Sequence, residues 1–158
     1  MVKNVRYAKI IKDDMINGEG VCTSFWTQGC PHRCPGCHNP ATWSFYGGYE
    51  ARPEILIAKV LNAISANGIQ RNLSILGGEP LCEENVDFVC KLLAAAKEKY
   101  PNIKTYVWTG YLLEDLKPEW LENIDVLIDG PFILEQRDIT LKLRGSHNQR
   151  VLYKNIDF

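Results

Sequence analysis

The spacing of hydrophobic and polar residues changes several times along the chain. Val5-Arg6-Tyr7-Ala8-Lys9-Ile10-Ile11 reads as a first strand, and Asn17-Gly18-Glu19-Gly20 as the turn that follows it. Thr23, Phe25 and Thr27 alternate with Cys22, Ser24 and Trp26. This β-branched and aromatic run predicts a second strand ending at Gln28-Gly29. From Cys30 to about Tyr49 the periodicity is lost, with Pro31, Pro35, Gly36, Pro40, Gly47 and Gly48 in the stretch. Its apolar content is too low for a core element, so something else must order it.

Helical spacing begins at Pro53, whose fixed φ suits a first turn, and runs through Ile55, Leu56, Val60, Leu61 and Ile64 to about Asn67-Gly68. Leu73-Ser74-Ile75-Leu76 is a short buried strand ending in Gly77-Gly78. A helix over Asn85 to Tyr100 puts Val86, Val89, Cys90, Leu93 and Ala94 on one face, and Pro101-Asn102 ends it. Thr105 to Thr109 is a strand stopped by Gly110. Leu112 to Asn123 reads as a helix broken at Pro118, and Asp125 to Gly130 as another strand. The tail holds Leu141 to Arg144, a turn, and Arg150 to Tyr153.

Strands alternating with helices predict an α/β fold of βαβ units and a mostly parallel sheet. The 158 residues are too few for a closed eight-stranded barrel of about 250. At about 30 residues per unit they make about five units, an open partial (β/α) barrel in one domain over residues 1–158. Chemistry in such sheets gathers at the carboxyl ends of strands. Those ends carry Gly29-Cys30, Gly77-Gly78-Glu79-Pro80, Thr109-Gly110 and Asp129-Gly130.

Charge and composition narrow the class. Lys and Arg number 18 against 19 Asp and Glu, a net charge of −1 and no basic footprint for nucleic acid. No apolar run approaches the roughly 18 residues of a membrane span. The start, Met1-Val2-Lys3-Asn4-Val5-Arg6, lacks the apolar core of a secretion signal, so a cytoplasmic protein is expected. The anomaly is six cysteines: Cys22, Cys30, Cys34, Cys37, Cys82 and Cys90. In a reducing compartment such a cluster points to a metal or redox chemistry more than to disulfides. Cys30, Cys34 and Cys37 have the spacing C-x3-C-x2-C, which lets a tight loop aim three thiolates at one centre. A structural zinc site needs a fourth ligand, for which His32, His38 or Cys22 is available. An electron-carrier cluster needs a distant fourth, Cys82 or Cys90. A four-iron cluster on three cysteines leaves one iron open to a substrate.

The spacing resembles the signature of the radical S-adenosylmethionine (SAM) superfamily, followed here by a strand and a Gly-Gly-Glu turn, Ser74-Ile75-Leu76-Gly77-Gly78-Glu79-Pro80-Leu81. Within it, five further segments are similar, in order, to the activating proteins of anaerobic ribonucleoside-triphosphate reductases. They are Asn17-Gly18-Glu19-Gly20, Cys34 to Trp43, Val107 to Tyr111, Val126 to Gly130 and Arg144 to Gln149. Gly36 stands where many superfamily members have an aromatic residue. His38 stands where the narrower family often has Tyr, which leaves the adenine contacts open.

The resemblance implies a radical SAM partial barrel with one [4Fe-4S] cluster on Cys30, Cys34 and Cys37. The open iron would chelate SAM, and one electron would cleave it to methionine and a 5′-deoxyadenosyl radical. That radical would take a hydrogen from a glycine of the partner reductase. An electron donor such as flavodoxin is implied. Gly36, Cys37, His38, Gly77, Gly78, Glu79, Thr109 and Asp129 are the expected cofactor contacts. Gly77 and Gly78 would admit a ligand close to the backbone. Glu79 would offer its carboxylate to the methionine ammonium, and Asp129 would meet the ribose hydroxyls. An activase of another glycyl radical enzyme and a zinc-binding interaction module are the alternatives.

Lesser expectations complete the reading. Phe25, Trp26, Trp43, Phe45 and Tyr46 either shield the cluster or simply pack. Backbone N–H groups around Gly36 and His38 are candidate donors to sulfur. Trp108 and Thr109 line the cofactor pocket or the core. Arg144, Ser146, Asn148 and Gln149 serve SAM, the partner or a solvated turn. His32 and Arg33 are read as surface residues, Arg33 facing the partner. His147 has no evident role. Cys22, Cys82 and Cys90 are read as buried small hydrophobes.

Overall fold

The structure is a computed structural model that describes residues 3–158. Met1 and Val2, the first residues of the stretch read above for a secretion signal, lie outside the described residues. Seven strands form one open sheet: β1 (Val5–Asp14), β2 (Cys22–Thr27), β3 (Tyr49–Ala51), β4 (Asn72–Gly77), β5 (Thr105–Trp108), β6 (Val126–Asp129) and β7 (Arg150–Tyr153). Their order across the sheet is β3-β1-β2-β4-β5-β6-β7. The central run β2-β4-β5-β6 is parallel, and β1, β3 and β7 pair antiparallel at the edges. The expected open α/β sheet is thus present. Helix α1 (Pro53–Ile64) links β3 to β4, and α2 (Glu83–Lys99) links β4 to β5.

Three local expectations are corrected. The segment 112–123 is no helix but two 3₁₀ turns, Leu113–Asp115 and Pro118–Leu121. Pro118 lacks the N–H that would continue a helix, and turns of three and four residues pack Leu113, Leu116, Trp120 and Leu121 on the core instead. The helix expected to run to Gly68 stops at Ile64, and Asn67 takes a left-handed φ of 59° in the turn beyond. Three residues at the end of the aperiodic stretch, Tyr49–Ala51, pair with β1 as a short edge strand.

The helices bury one face of the sheet. Phe25, Leu73, Ile75, Val107 and Leu127 from four parallel strands meet Leu56, Val60 and Ile64 of α1 and Val89, Leu92 and Leu93 of α2. The opposite, concave face carries a smaller apolar group, Cys22, Tyr106, Val126 and Ile128, with Trp108, Leu143 and Val151 against it. Strand alternation explains the division: Phe25 points to the helices, and its neighbours Ser24 and Trp26 point the other way. The parallel register sets Thr27 opposite Gly77 and Trp108 opposite Ile128, so the carboxyl ends of the strands come level. Among the described residues no helix is long and apolar enough to cross a membrane.

Phe25 is fully buried, stacked on Tyr7 at 5.8 Å between ring centroids and tilted on Phe88 at 5.5 Å. It fixes the strand that feeds the cysteine loop. Phe25→Ala should lower the unfolding free energy by about 3–5 kcal/mol, measured by urea denaturation.

Candidate functional site

The carboxyl ends of the parallel strands open into one cavity of about 1370 Å³. Cys30, Cys34 and Cys37 stand on its rim, Gly77, Gly78, Glu79, Thr109, Gly110 and Gly130 form its strand-end border, and Trp26, Trp43 and Trp108 form walls. The cavity continues along the concave face to the β1–β2 turn at Asn17, Gly18, Glu19 and Gly20.

Buried polar bonds order the aperiodic loop where apolar packing is lacking. Gly29 N–H donates to the Thr42 carbonyl at 2.7 Å, and Cys30 N–H to the Trp43 carbonyl at 3.1 Å. The buried Gln28 amide donates to the carbonyls of Ala41 at 2.9 Å and Ser44 at 2.8 Å. The strand-end turn then grips the loop: Gly78 N–H donates to Thr27 at 3.1 Å, and Glu79 N–H to Gly29 at 2.8 Å. A Cβ at Gly77 would strike the backbone of Thr27, and one at Gly78 the carbonyl of Gly29. The close approach that these glycines permit is therefore to the chain itself, although both also border the cavity.

Glu79 corrects the expected role most sharply. Its side chain is fully buried, and its carboxylate already accepts four hydrogen bonds. Oε1 receives Gly110 N–H at 2.6 Å and faces His32 Nε2 at 2.7 Å, while Oε2 receives Leu81 N–H at 2.8 Å and the Thr109 hydroxyl at 2.8 Å. A carboxylate has about four lone-pair positions, so this one is filled from inside rather than offered to an ammonium. His32, expected at the surface, is turned inward onto Glu79 with its ring edge-on to Tyr111 at 4.6 Å. Glu79 thereby joins the cysteine loop to the ends of β4 and β5. Buried Asn85 adds a second clasp, its amide donating to the carbonyls of Glu79 at 2.9 Å and Gly29 at 3.3 Å.

All six cysteines are free thiols. Burial pushes the Cys30 thiol above its ordinary pKa, partly offset by the N–H groups of His32 and Arg33. Cys37 N–H donates to the Cys34 carbonyl at 3.1 Å, and Asn39 N–H donates to the Cys37 sulfur at 3.4 Å. Among the described residues no three His, Cys, Asp or Glu side chains converge closely enough to hold a single metal ion. A cubane cluster spreads its ligands over separate iron corners, which suits thiols ranged around a rim. Soft sulfur donors with backbone N–H groups already aimed at two of them fit an iron–sulfur group.

Other expected contacts separate. Gly36 holds a left-handed φ of 78° against Leu134 and does not border the cavity. His38 borders it, with its ring 5.6 Å from Phe132. Asp129 is fully buried and does not face the cavity. It holds Arg150 through both oxygens, at 3.0 and 2.5 Å, and accepts the Leu113 N–H at 2.8 Å, so its carboxylate is turned away from the cavity. Thr109 borders the cavity, but its hydroxyl is committed to Glu79. Phe25 packs in the core, and Tyr46 is 89% exposed and shields nothing. The tail segment binds itself: Arg144 donates to the carbonyls of His147 and Gln149, and Gln149 accepts the N–H groups of Gly145 and Ser146. His147 pairs with Asp138 at 3.0 Å. Cys22 and Cys82 are buried and Cys90 is partly buried on the helix face. Burial drives the Cys82 thiol up to about 12, and its S–H donates to the Glu79 carbonyl at 3.2 Å.

The chain matches known proteins over most of its length. Residues 16–152 match the model of a 4Fe-4S single cluster domain. The chain is 38% identical over 149 residues to the anaerobic ribonucleoside-triphosphate reductase-activating protein of Haemophilus influenzae, covering 92% of this chain and 96% of that one. It is 33% identical to the protein of that name from Escherichia coli K12, over 93% and 97% of the two chains. With the one from Enterobacteria phage T4 it shares 36% identity over 97% and 96%.

Glu79→Gln must set an N–H₂ against one of the donor pairs that now point at the carboxylate. It should destabilise the fold by about 1–3 kcal/mol in urea denaturation. His32→Ala takes one donor from the buried Glu79 carboxylate, so it should cost about 1–3 kcal/mol in urea denaturation and loosen the loop, read as faster iron loss to a chelator after anaerobic reconstitution.

Proposed function

Because the chain belongs to the family of anaerobic ribonucleoside-triphosphate reductase-activating proteins, we propose that it is a radical SAM activase that installs the glycyl radical on an anaerobic ribonucleotide reductase. The observation that carries this reading is the placement of Cys30, Cys34 and Cys37, and of no other cysteine, on the rim of a cavity at the carboxyl ends of four parallel strands. These three would hold the cluster, with residues 1–158 acting as one domain. A cluster bound there would supply the electron for reductive cleavage of SAM.

The chain's own residues do the rest. Glu79, through His32 and the Gly110 N–H, holds the cysteine loop against the strand ends, so the ligands are set before the cofactor arrives. Gly77 and Gly78 put bare backbone on the cavity border, where it can meet the amino-acid end of SAM. Trp26 and Trp108 wall the concave face and keep water from a reactive carbon centre. Their indole N–H groups are tied to Ser24 and the Leu143 carbonyl, which fixes the rings. Because the sheet does not close, the glycine segment of a protein substrate has a side from which to enter. An electron donor such as flavodoxin and a cytoplasmic location, where thiols stay reduced, complete the proposal.

Anaerobic reconstitution should give about four irons per chain, and Cys30→Ala, Cys34→Ala or Cys37→Ala should each lose them. Cys82→Ala and Cys90→Ala should keep iron content; loss in either means a fourth protein ligand. With SAM, a reductant and an anaerobic ribonucleotide reductase, electron paramagnetic resonance should show the glycyl doublet. A loaded cluster with no doublet counts against the assignment.

A further inference from the structure

Large apolar side chains scattered singly over a surface are ordinary, whereas apolar side chains grouped in water mark a place of interaction. Met15 and Ile16 are neighbours in the chain, 75% and 84% exposed, and both border the cavity that the three cysteines share. They lie in the turn between β1 and β2, at the amino end of β2, whereas the cysteine loop leaves its carboxyl end. The six residues of β2 set those two ends about 20 Å apart.

The turn does not need these two side chains to hold its shape. The buried Asp14 carboxylate accepts the N–H groups of Ile16 and Asn17, each at 2.9 Å, and the Asn17 side-chain amide at 2.9 Å. The Ser74 hydroxyl donates to the Asn17 carbonyl. Gly18, at a φ of 134°, lies so close on the sheet that a Cβ would strike the Cys22 sulfur and the Ser74 hydroxyl. A polar clamp and a glycine thus fix the backbone, and Met15 and Ile16, hardly buried, add little to the fold.

The cavity decides what covers them. Its volume of about 1370 Å³ exceeds the roughly 300–1,000 Å³ of a small-molecule site. A small molecule at the cysteine rim therefore leaves the far end, with the turn, unfilled. A protein substrate that brings its glycine to that rim must cross the border of the same cavity. Two side chains fall far short of the roughly 1,200–2,000 Å² of a stable interface, so they do not hold a second copy of this chain. They suit a partner that is released after each turnover.

We propose that Met15 and Ile16 are a docking contact for the protein substrate and take apolar residues that flank its glycine segment. The inference rests on the activase reading above. Met adapts to an irregular apolar surface, and the stiffer Ile gives it a fixed neighbour. The contact sets the affinity for the reductase and leaves the chemistry at the cysteine rim untouched.

The test uses the Met15→Ser/Ile16→Ser double variant, reconstituted anaerobically beside wild type, with Ile156→Ser as the control. Ile156 is 82% exposed and does not border the cavity. Iron content and reductant-driven SAM cleavage without reductase should match wild type in both. The glycyl doublet is then followed at rising concentrations of the reductase. The double variant should need on the order of tenfold more reductase for its half-maximal rate, with the maximal rate unchanged. Ile156→Ser should match wild type. An unshifted half-maximal concentration in the double variant overturns the inference, as does an equal shift in Ile156→Ser. Slower SAM cleavage without reductase, at full iron, gives the turn to SAM and overturns it. A wild-type dimer that the double variant breaks gives the turn to a second copy and overturns it too. Where the double variant does not load iron, Ile16→Lys takes its place, with the same tenfold shift expected and an unshifted value overturning the inference. Wild type that loads iron and cleaves SAM but gives no doublet overturns the activase reading itself, and this inference with it.

Discussion

The carboxylate of Glu79 is buried at the point where three parts of the chain meet, and the site depends on how it is satisfied. A buried carboxylate with too few donors would be costly enough to unfold the region. Here the donors come from the turn after β4, from the end of β5 and from His32 in the cysteine loop. Of these the cysteine loop is irregular and has too little apolar surface to fix itself. One buried acceptor thus replaces the core packing that the loop lacks. The Asn85 clasp and the Gln28 amide extend the same strategy, buried polar groups holding backbone where side chains cannot.

This arrangement explains why the cysteines sit on a rim. The parallel register brings four strand ends level, and the loop from β2 is folded back over them by bonds to Thr42 and Trp43. The thiols then face a cavity that is deep along the concave face and open at the unclosed sheet. A group held at the rim is supported by backbone on one side and by tryptophan walls on the other. The sheet's failure to close leaves this face accessible to something larger than a small molecule.

Much of this was legible in the sequence. The strand ends that carry chemistry followed from alternation broken by glycine, as at Thr27-Gln28-Gly29 and Leu76-Gly77-Gly78, and the cysteine spacing needed no structure to be noticed. What local pattern did not show was direction. Asp129 ends a buried strand and Glu79 lies in the turn just after one, which is equally the mark of a ligand-binding carboxylate and of one turned inward. Only the three-dimensional proximity of His32 and Arg150 decides between them. His32 reads as a surface residue from its place inside the cysteine loop, where its neighbours Pro31 and Arg33 are exposed in the fold. The region 112–123 misled because Leu113, Leu116, Trp120 and Leu121 are spaced like a helix face, whereas short turns against the sheet bury them about as well.

The central claim is that three thiols, held by the Glu79 joint, carry a four-iron cluster and leave one iron without a protein ligand. Mössbauer spectroscopy of the ⁵⁷Fe-reconstituted protein, recorded with and without SAM, tests it most directly. On SAM addition about a quarter of the iron absorption should move to the parameters of a more highly coordinated site while the rest stays in place. Four equivalent irons, unchanged by SAM, would contradict the account.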